Sequence, residues 1–89
     1  MEITYTLKYT KGAIKDVQNL KAIKLASKVE ILCESLAKNP TPPNSKKLSG
    51  DLKGKRSIRI NLQHRLVYKI YENEKIIKIL SMWNHYSDN

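Results

Sequence analysis

The sequence contains a single cysteine, and its histidines are few and far apart. With Cys33 alone no intrachain disulfide can form, and a reducing cytoplasm is the expected location. One cysteine and two separated histidines do not make a metal-ligand pattern, so we expect neither a metal ion nor another cofactor. No apolar run approaches the length of a membrane-spanning helix, and the N-terminus lacks the features of a signal peptide, which predicts no membrane association.

Acidic residues are also scarce. Seventeen Lys and Arg residues against eight Asp and Glu residues give a net charge of +9 and a pI near 9.8. This balance favours a nucleic acid, an acidic protein or an anionic membrane as partner, although a basic protein without such a partner has the same composition. The chain has 89 residues, 40% of them hydrophobic, and no repeats, linkers or low-complexity segments, so one domain over residues 1–89 with a modest core is expected.

The N-terminal half predicts one strand followed by two helices. Alternating apolar residues indicate a strand over 2–9, after which Thr10 can cap a helix. Apolar residues then recur at helical spacing, which predicts helices over 11–20 and 22–38. The proline-rich segment 39–44 ends the second helix, because proline cannot continue it. The apolar stripe of the two helices consists of Ile14, Val17, Leu20, Ile23, Leu25, Val29, Leu32 and Leu36.

The C-terminal half predicts three strands, over 56–61, 64–71 and 75–83, joined by short turns. The short connections make these strands an antiparallel meander, and the helices are expected to cover one of its faces. The order of elements is therefore β-α-α-β-β-β. The expected fold class is α+β, with an antiparallel sheet packed on two N-terminal helices.

Strand alternation separates the basic residues of this sheet from its apolar residues. If the helices cover the face that carries Ile58 and Leu66, then Arg59 and Arg65 stand on the open face. Two arginines on an uncovered sheet face are suited to hold an oxyanion such as a phosphate. The last strand is apolar on both faces, so alternation does not assign a face to the residues that follow it.

Positive charge is concentrated between residues 46 and 65. This segment has seven basic residues and one acidic residue. A cationic segment fused to a sheet is suited to hold a polyphosphate backbone, and a solvated, flexible loop is the alternative for its first part. The basic residues are Lys46, Lys47, Lys53, Lys55, Arg56, Arg59 and Arg65.

Four motifs occur together in the second half of the chain. They are Leu52-Lys53-Gly54, Ser57-Ile58-Arg59-Ile60, His64-Arg65-Leu66-Val67-Tyr68 and the near-terminal His85-Tyr86. In this combination the sequence resembles the Txe/YoeB branch of the RelE/ParE toxin superfamily. The resemblance implies a RelE-like fold, similar to microbial ribonucleases, and the toxin of a type II toxin–antitoxin system. It further implies a ribosome-dependent endoribonuclease that cleaves A-site mRNA by 2′-OH attack without a metal, and an acidic antitoxin partner of the YefM/Phd type or another small antitoxin.

The resemblance also implies roles for individual residues. Arg59 and Arg65 match arginines that bind the phosphate. His85 matches a catalytic histidine, and Tyr86 matches a tyrosine that orients the phosphate or substrate. Lys46 stands where the family usually has a glutamate, the presumed general base. Further contacts with RNA are expected from Lys47, Lys53, Lys55, Arg56 and Gln63.

The missing carboxylate leaves the proton acceptor open. Either Lys46 or Lys47 takes the proton of the 2′-OH, or His85 does so alone, or the protein is a weak or inactive enzyme. A protonated lysine that stabilises charge needs no change of pKa, and this is the role that we favour for Lys46. Two other positions depart from the family, because Gln63 replaces an acidic residue and Arg56 replaces an aromatic one.

Two other functions are compatible with the sequence. The missing carboxylate suggests a toxin-fold protein that occupies the ribosome or another RNA without cutting it. The third function is a gyrase inhibitor of the ParE type, against which the His85-Tyr86 ending argues, because such toxins do not need that site. His64 lies at a predicted turn and is expected to have a structural role there.

Overall fold

Helices and strands form two layers, with a pair of helices packed on one face of a sheet. The computed structural model describes residues 4–48, 50 and 54–82. These residues form β1 (Thr6–Tyr9), α1 (Lys11–Ala22), α2 (Ala26–Lys38), β2 (Ser45–Lys47), β3 (Arg56–Arg59), β4 (Arg65–Tyr71) and β5 (Ile76–Ser81). The strand order across the sheet is β1-β5-β4-β3-β2. The predicted α+β class is confirmed.

The sheet is mixed, which corrects one detail of the expectation. The pairs β2–β3, β3–β4 and β4–β5 are antiparallel, whereas β1 lies parallel to β5, with Thr6 opposite Ile76. α1 and α2 carry the chain from β1 at one edge of the sheet to β2 at the other edge. The strands β2 to β5 then lead back across the sheet, so the last strand comes to lie beside β1. At that edge the three residues of β2 form a strand that alternation did not reveal, since Ser-Lys-Lys has no apolar position.

Local signals determine where the helices begin and end. Thr10 caps α1, because its Oγ1 accepts a hydrogen bond from the backbone N–H of Ala13 at 3.0 Å. The two helices separate at residues 23–25, where Lys24 has a φ of 63° and the N–H of Leu25 bonds the carbonyl of Leu20 at 2.8 Å. α2 ends at Lys38, immediately before the proline-rich segment, as predicted.

The core lies between the helices and the sheet. Ile58 and Leu66 are buried there, as the strand alternation predicts. Tyr68 is also fully buried and donates its hydroxyl to the carbonyl of Pro40 at 2.7 Å, so the proline-rich segment is bound to the sheet. Other core residues are Ala13, Leu20, Val29, Cys33, Leu36, Ile60, Ile77, Ile79 and Met82.

α1 packs on β5 with a face that overlaps its apolar stripe only in part, since Leu20 is buried and Val17 packs against the core. Ile14 and Ile23 were expected in the stripe but are 54% and 46% exposed. The buried row is Ala13, Asp16 and Leu20, spaced i, i+3 and i+7 along the helix. An aspartate carries no apolar signal and the exposed isoleucines carry a strong one, so periodicity was wrong for Ile14 and Ile23 and did not reveal Asp16.

Cys33 is buried, as predicted, and shares a cavity with Tyr9. The cavity has a volume of about 370 Å³ and lies between α1 and α2. Burial raises the pKa of Tyr9 to about 12, and the neighbouring Cys33 and Glu30 add to this effect. Burial also raises the pKa of the Cys33 thiol, although a hydrogen bond with Tyr9 acts in the opposite direction. Both groups are therefore neutral at physiological pH.

Leu66→Ala should lower the free energy of unfolding by about 2–5 kcal/mol, because it leaves a cavity in the core. Leu62→Ala removes the same atoms from a side chain that is 90% exposed. It should therefore change the free energy by less than about 0.5 kcal/mol. Urea unfolding monitored by circular dichroism measures both values. Equal losses in the two variants would contradict the burial of Leu66.

Stability should fall as the pH rises from about 10 to about 12. Tyr9 ionises near its ordinary pKa of 10.0 in the unfolded chain and near about 12 in the folded chain. Within this interval the unfolded chain releases the proton first, and the difference favours unfolding. Tyr9→Phe removes this proton and should flatten the decline of the urea midpoint. Parallel declines in the wild type and the variant would show that Tyr9 does not ionise as described.

Candidate nucleic-acid interface

Arg59 and Arg65 face each other across β3 and β4. The antiparallel register pairs Arg59 with Arg65 and Ile58 with Leu66. Because alternate residues point to opposite faces of a strand, the Ile58–Leu66 pair enters the core and the arginine pair stands on the face without helices. Arg59 is exposed and Arg65 is half-buried. This is the placement that the alternation predicts.

β2 adds a third cation to this face. Lys46 pairs with Ser57, which is two residues from Arg59 and therefore points to the same side of β3. A cleft of about 340 Å³ opens here, within the range of roughly 300–1,000 Å³ that is usual for ligand sites. It is lined by Asn44, Lys46, Ser57, Arg59 and Arg65. The structure thus brings together Lys46, Arg59 and Arg65 from the candidate catalytic residues.

The described lining of this cleft is cationic. It contains two guanidinium groups and one ammonium group, and none of these lining residues is acidic. A bound anion would be attracted by each of these positive charges. Guanidinium groups bind phosphate oxygens through paired hydrogen bonds, whereas a lysine acts as a flexible point charge. The arrangement is suited to a phosphate group.

Two buried serine hydroxyls lie near the arginine pair. Ser57, Val67 and Ser81 form one row across β3, β4 and β5, two residues along the strands from the Arg59–Arg65 pair. Within the described structure, the Oγ atoms of Ser57 and Ser81 are buried without a hydrogen-bond partner. A buried hydroxyl without a hydrogen-bond partner lowers the stability of the fold by about 1–3 kcal/mol. Ser57 lines the cleft, but its Oγ atom is buried.

A β-bulge turns Ser81 to the face of the sheet without helices. Val67 pairs with Ser81, whereas the next residue of β4 pairs with Ile79, so Leu80 is an extra residue in β5. The bulge reverses the alternation of the strand, and Met82 returns to the core. A register break of this kind has no signature in a strand that is apolar at consecutive positions, which is why the faces of the last strand could not be assigned from the sequence.

The other basic residues of the loop lie on a different surface. Lys47 pairs with Arg56, which in turn pairs with the core residue Tyr68, so both belong to the face on which the helices pack. With Lys55 they line a separate cavity of about 530 Å³. Arg56 donates hydrogen bonds from Nη2 and Nε to Ser45 Oγ at 2.8 and 3.3 Å. The structure therefore does not bring these three predicted RNA contacts into the cleft.

An asparagine holds the turn between β3 and β4. Asn61 Oδ1 accepts hydrogen bonds from the backbone N–H groups of Gln63 and His64 at 2.9 and 2.8 Å. The carbonyl of His64 accepts from the N–H of Ile60 at 2.9 Å. His64 is buried at this turn, which agrees with the structural role expected for it. Gln63 is exposed in the same turn, close in sequence to both arginines.

Three predicted site residues, Lys53, His85 and Tyr86, lie outside the described residues. In the part of the chain that is described, no group of three or more histidine, cysteine, aspartate or glutamate side chains is placed to hold a metal ion. None of the helices in that part is both long enough and apolar enough to cross a bilayer.

The sequence analysis missed three residues that the fold makes relevant. Asn44 lines the cleft but belongs to a segment that was interpreted only as the end of a helix. Alternation puts Ser57 on the same face of β3 as Arg59, yet nothing in the sequence indicated that its hydroxyl would be buried without a partner. Asp16 is buried in the core-facing row of α1, and an acidic residue at helical spacing with apolar ones was the available signal.

Comparison with known proteins relates this chain to bacterial and archaeal toxins. The family model for the ParE toxin of the type II toxin–antitoxin system parDE matches residues 7–88. A search of curated protein sequences finds no match. Among solved structures, the YoeB–YefM complex from Staphylococcus aureus has a chain that is 30% identical at a TM-score of 0.77, with 92% of this chain and 98% of that chain covered. The archaeal RelE–RelB complex from Pyrococcus horikoshii gives 26% identity at a TM-score of 0.76, covering 94% and 98%.

A YoeB/ParE toxin from Agrobacterium tumefaciens shares the fold at a TM-score of 0.81 and 22% identity, with 91% of this chain and 99% of that chain covered. The family match extends over almost the whole chain, well beyond the second half in which the motifs were found. The chain belongs to the ParE toxin family of type II toxin–antitoxin systems, within the RelE/ParE superfamily, and is YoeB-like.

Proposed function

We propose that this toxin inhibits translation by cutting messenger RNA in the ribosomal A site, without a metal ion. The observation that carries the proposal is the cleft in which Lys46, Arg59 and Arg65 meet on the helix-free face of the sheet. Three cations in one concave site are suited to a phosphodiester, the charged group that every RNA substrate presents. The cytoplasm, where ribosomes work, is the location that this function requires.

The proposed reaction is attack of a ribose 2′-oxygen on the adjacent phosphorus. The bond from the 2′-oxygen to phosphorus forms, the bond to the 5′-oxygen breaks, and a 2′,3′-cyclic phosphate remains. A base removes the 2′-OH proton and an acid protonates the leaving 5′-oxygen. Arg59 and Arg65 would stabilise the charge on the non-bridging oxygens of the transition state.

Lys46 would act in this reaction as a protonated cation. As an ammonium group it would stabilise the charge that develops on the phosphate, without taking up a proton. Histidine ordinarily has a pKa near 6.5, which suits proton transfer at neutral pH, and His85 is our candidate for the acid or base. Tyr86, its neighbour in sequence, would orient the phosphate. Lys46 or Lys47 as acceptor of the 2′-OH proton is the alternative.

An acidic antitoxin is the proposed protein partner. The solved YoeB of Staphylococcus aureus is in complex with YefM, and the RelE of Pyrococcus horikoshii is in complex with RelB. The present chain has a net charge of +9, which attracts an acidic protein strongly at low ionic strength. An antitoxin that covers the Arg59–Arg65 pair would compete directly with RNA for the cleft.

Two alternative functions have specific support. The family match to ParE favours a gyrase inhibitor. The absence of an acidic residue from the described lining of the cleft favours a protein that binds the ribosome or RNA without cutting it. Cleavage is the better-supported function, because the cleft concentrates the cations that a phosphorane-like transition state needs.

Arg65→Gln should lower the rate of single-turnover mRNA cleavage on programmed ribosomes by about 10²–10³-fold, because it removes a donor to the transition state. Arg65→Lys keeps the charge but loses the paired hydrogen bonds, so an intermediate rate is expected. Lys28→Gln is the matched control, since it removes one positive charge from the exposed surface of α2. Equal losses in Arg65→Gln and Lys28→Gln would mean that net charge, and not the cleft, determines the rate.

His85→Ala should abolish most A-site cleavage, with a loss of about 10²–10⁴-fold, if His85 transfers a proton. Primer extension on mRNA from programmed ribosomes measures this directly. Full activity in the variant would exclude His85 from the chemistry. Intact message with wild-type toxin on verifiably occupied ribosomes would replace cleavage with binding as the function.

A DNA supercoiling assay with purified gyrase distinguishes the remaining alternative. We expect no inhibition of gyrase by the toxin. If the toxin binds gyrase and inhibits supercoiling, and the message stays uncut, the activity is of the ParE type and not that of a ribonuclease.

A further inference from the structure

Three lysines stand side by side across the sheet. Lys8 of β1 pairs with Lys78 of β5, and Lys78 pairs in turn with Lys69 of β4. Neighbouring strands are about 4.8 Å apart, so the backbone positions of this lysine row span about 10 Å. Lys8 and Lys78 are exposed, and Lys69 is half-buried. The lysine row is therefore a second group of cations, separate from the one in the cleft.

The lysine row lies on the same face of the sheet as the arginine pair. On β4, Lys69 is four residues from Arg65, so alternation gives both side chains the same direction. On β5, the neighbours Ile77 and Ile79 are fully buried in the core, which leaves Lys78 on the helix-free face. Paired residues share a face, so the partner on β1 points the same way. Four residues of strand measure about 13 Å, which is the separation along β4 between the row and Arg65.

The lysine row is unfavourable for the isolated protein. Like charges directly opposite each other on neighbouring strands destabilise a sheet. Among the described residues, no acidic side chain forms a salt bridge with any of the three lysines. Glu72, which directly follows β4, instead accepts a hydrogen bond from the Tyr5 hydroxyl at 3.0 Å and pairs with Lys75 at 3.5 Å. The described structure thus provides no acidic counterpart for the row.

Protection of a sheet edge explains only one of the three lysines. A lysine on an edge strand hinders pairing with a strand of another molecule, and β1 is an edge strand, which accounts for Lys8. β4 and β5 are interior strands, where lysine is a poor strand former. Lys69 and Lys78 therefore have no edge to protect, and a bound anion is the better explanation for their pairing.

An aromatic ring flanks the lysine row. Tyr71 is two residues from Lys69 on β4 and therefore on the same face, and Lys69 Nζ lies 5.2 Å from the centre of its ring. The Tyr71 side chain is half-buried. Sites for single-stranded nucleic acid combine cations that follow the backbone with rings on which bases stack, whereas an acidic protein segment does not need the ring. The chemistry therefore favours RNA as the occupant.

We propose that the lysine row is a second RNA-binding subsite, which holds backbone phosphates of the single-stranded RNA that flanks the nucleotide in the cleft, with a base stacked on Tyr71. The proposal rests on the proposed function, because the cleft must hold RNA. A stacked strand carries one phosphate per about 3.4 Å of its axis, so about three phosphates fit the span of the row. The subsite contributes to affinity and takes no part in the reaction.

The triple variant Lys8→Gln, Lys69→Gln and Lys78→Gln should bind RNA more weakly and with a smaller dependence on salt. The probe is a twelve-nucleotide 2′-O-methyl RNA, which has no free 2′-OH and cannot be cut. Fluorescence anisotropy at several salt concentrations should show that the slope of log Kd against log salt decreases by about 2, since each phosphate contact on a single strand contributes about 0.7. Tyr71→Leu should raise the Kd with little change in this slope.

The matched control is a triple variant of exposed helix lysines with the same net charge. It consists of Lys15→Gln, Lys28→Gln and Lys38→Gln, and its slope should stay within about 0.5 of the wild-type slope. Equal slopes in the two triple variants would overturn the proposal. The urea midpoint of the first variant should lie at or above that of the wild type, because repulsion within the row is removed. If that variant does not fold, Lys78→Gln alone replaces it, with an expected decrease of about 0.7 in slope.

Backbone amide shifts of the wild-type protein, titrated with the same RNA, separate this proposal from the proposed function. Amides of the lysine row and of Arg59 and Arg65 should shift together. Shifts at the arginines alone would overturn the subsite and retain the cleft as an RNA site. Shifts at the lysine row alone would refute the cleft as an RNA site, and with it the proposal that the row extends it. Tighter binding of a twelve-residue glutamate peptide than of the RNA, lost in the lysine-row variant, would assign the row to an acidic protein and overturn the proposal.

Discussion

The pairing of β3 with β4 is the constraint on which the site depends. One register places Ile58 and Leu66 in the core and Arg59 and Arg65 together on the opposite face. Because side chains alternate along a strand, a slip of β4 by one residue against β3 would bury Arg65 and expose Leu66. The hydrophobic core therefore selects the register, and the register in turn assembles the arginine pair. The Asn61 turn supports the same register through local hydrogen bonds.

The same alternation divides the basic loop into two surfaces. Lys46 joins the arginine face, whereas its neighbour Lys47 belongs to the face on which the helices pack. A run of positive charge in the sequence thus becomes a compact cleft and a second, separate basic cavity lined by Lys47, Lys55 and Arg56. The described side chains that line the cleft include three positive charges and no negative charge. An RNA phosphate or an acidic antitoxin is the oppositely charged group that the proposed function would place there.

The junction of α1 and β5 holds the end of the last strand in place. The buried row of α1 packs on β5, and in that row Asp16 takes the place that an apolar residue would ordinarily fill. The bulge at Leu80 interrupts the strand ladder, and Thr10 and Asp16 supply the hydrogen bonds that the ladder does not. A local defect in the sheet is stabilised by a helix, at the place where the chain leaves β5. Departures from regular structure that are held in this way are frequent near functional sites.

Composition, periodicity and motifs by themselves determined the fold class, the helices, the three C-terminal strands and the open-face position of Arg59 and Arg65. These features depend on the spacing of apolar and polar residues along the chain, which can be read from a single sequence. Only the tertiary structure decided that β1 pairs in parallel with β5, that β2 brings Lys46 to the arginines, and that the bulge redirects the end of β5. It also decided that Asp16, and not Ile14, faces the core. Each of these depends on contacts between segments far apart in the chain, and pairing partners and register leave no periodic trace in the sequence.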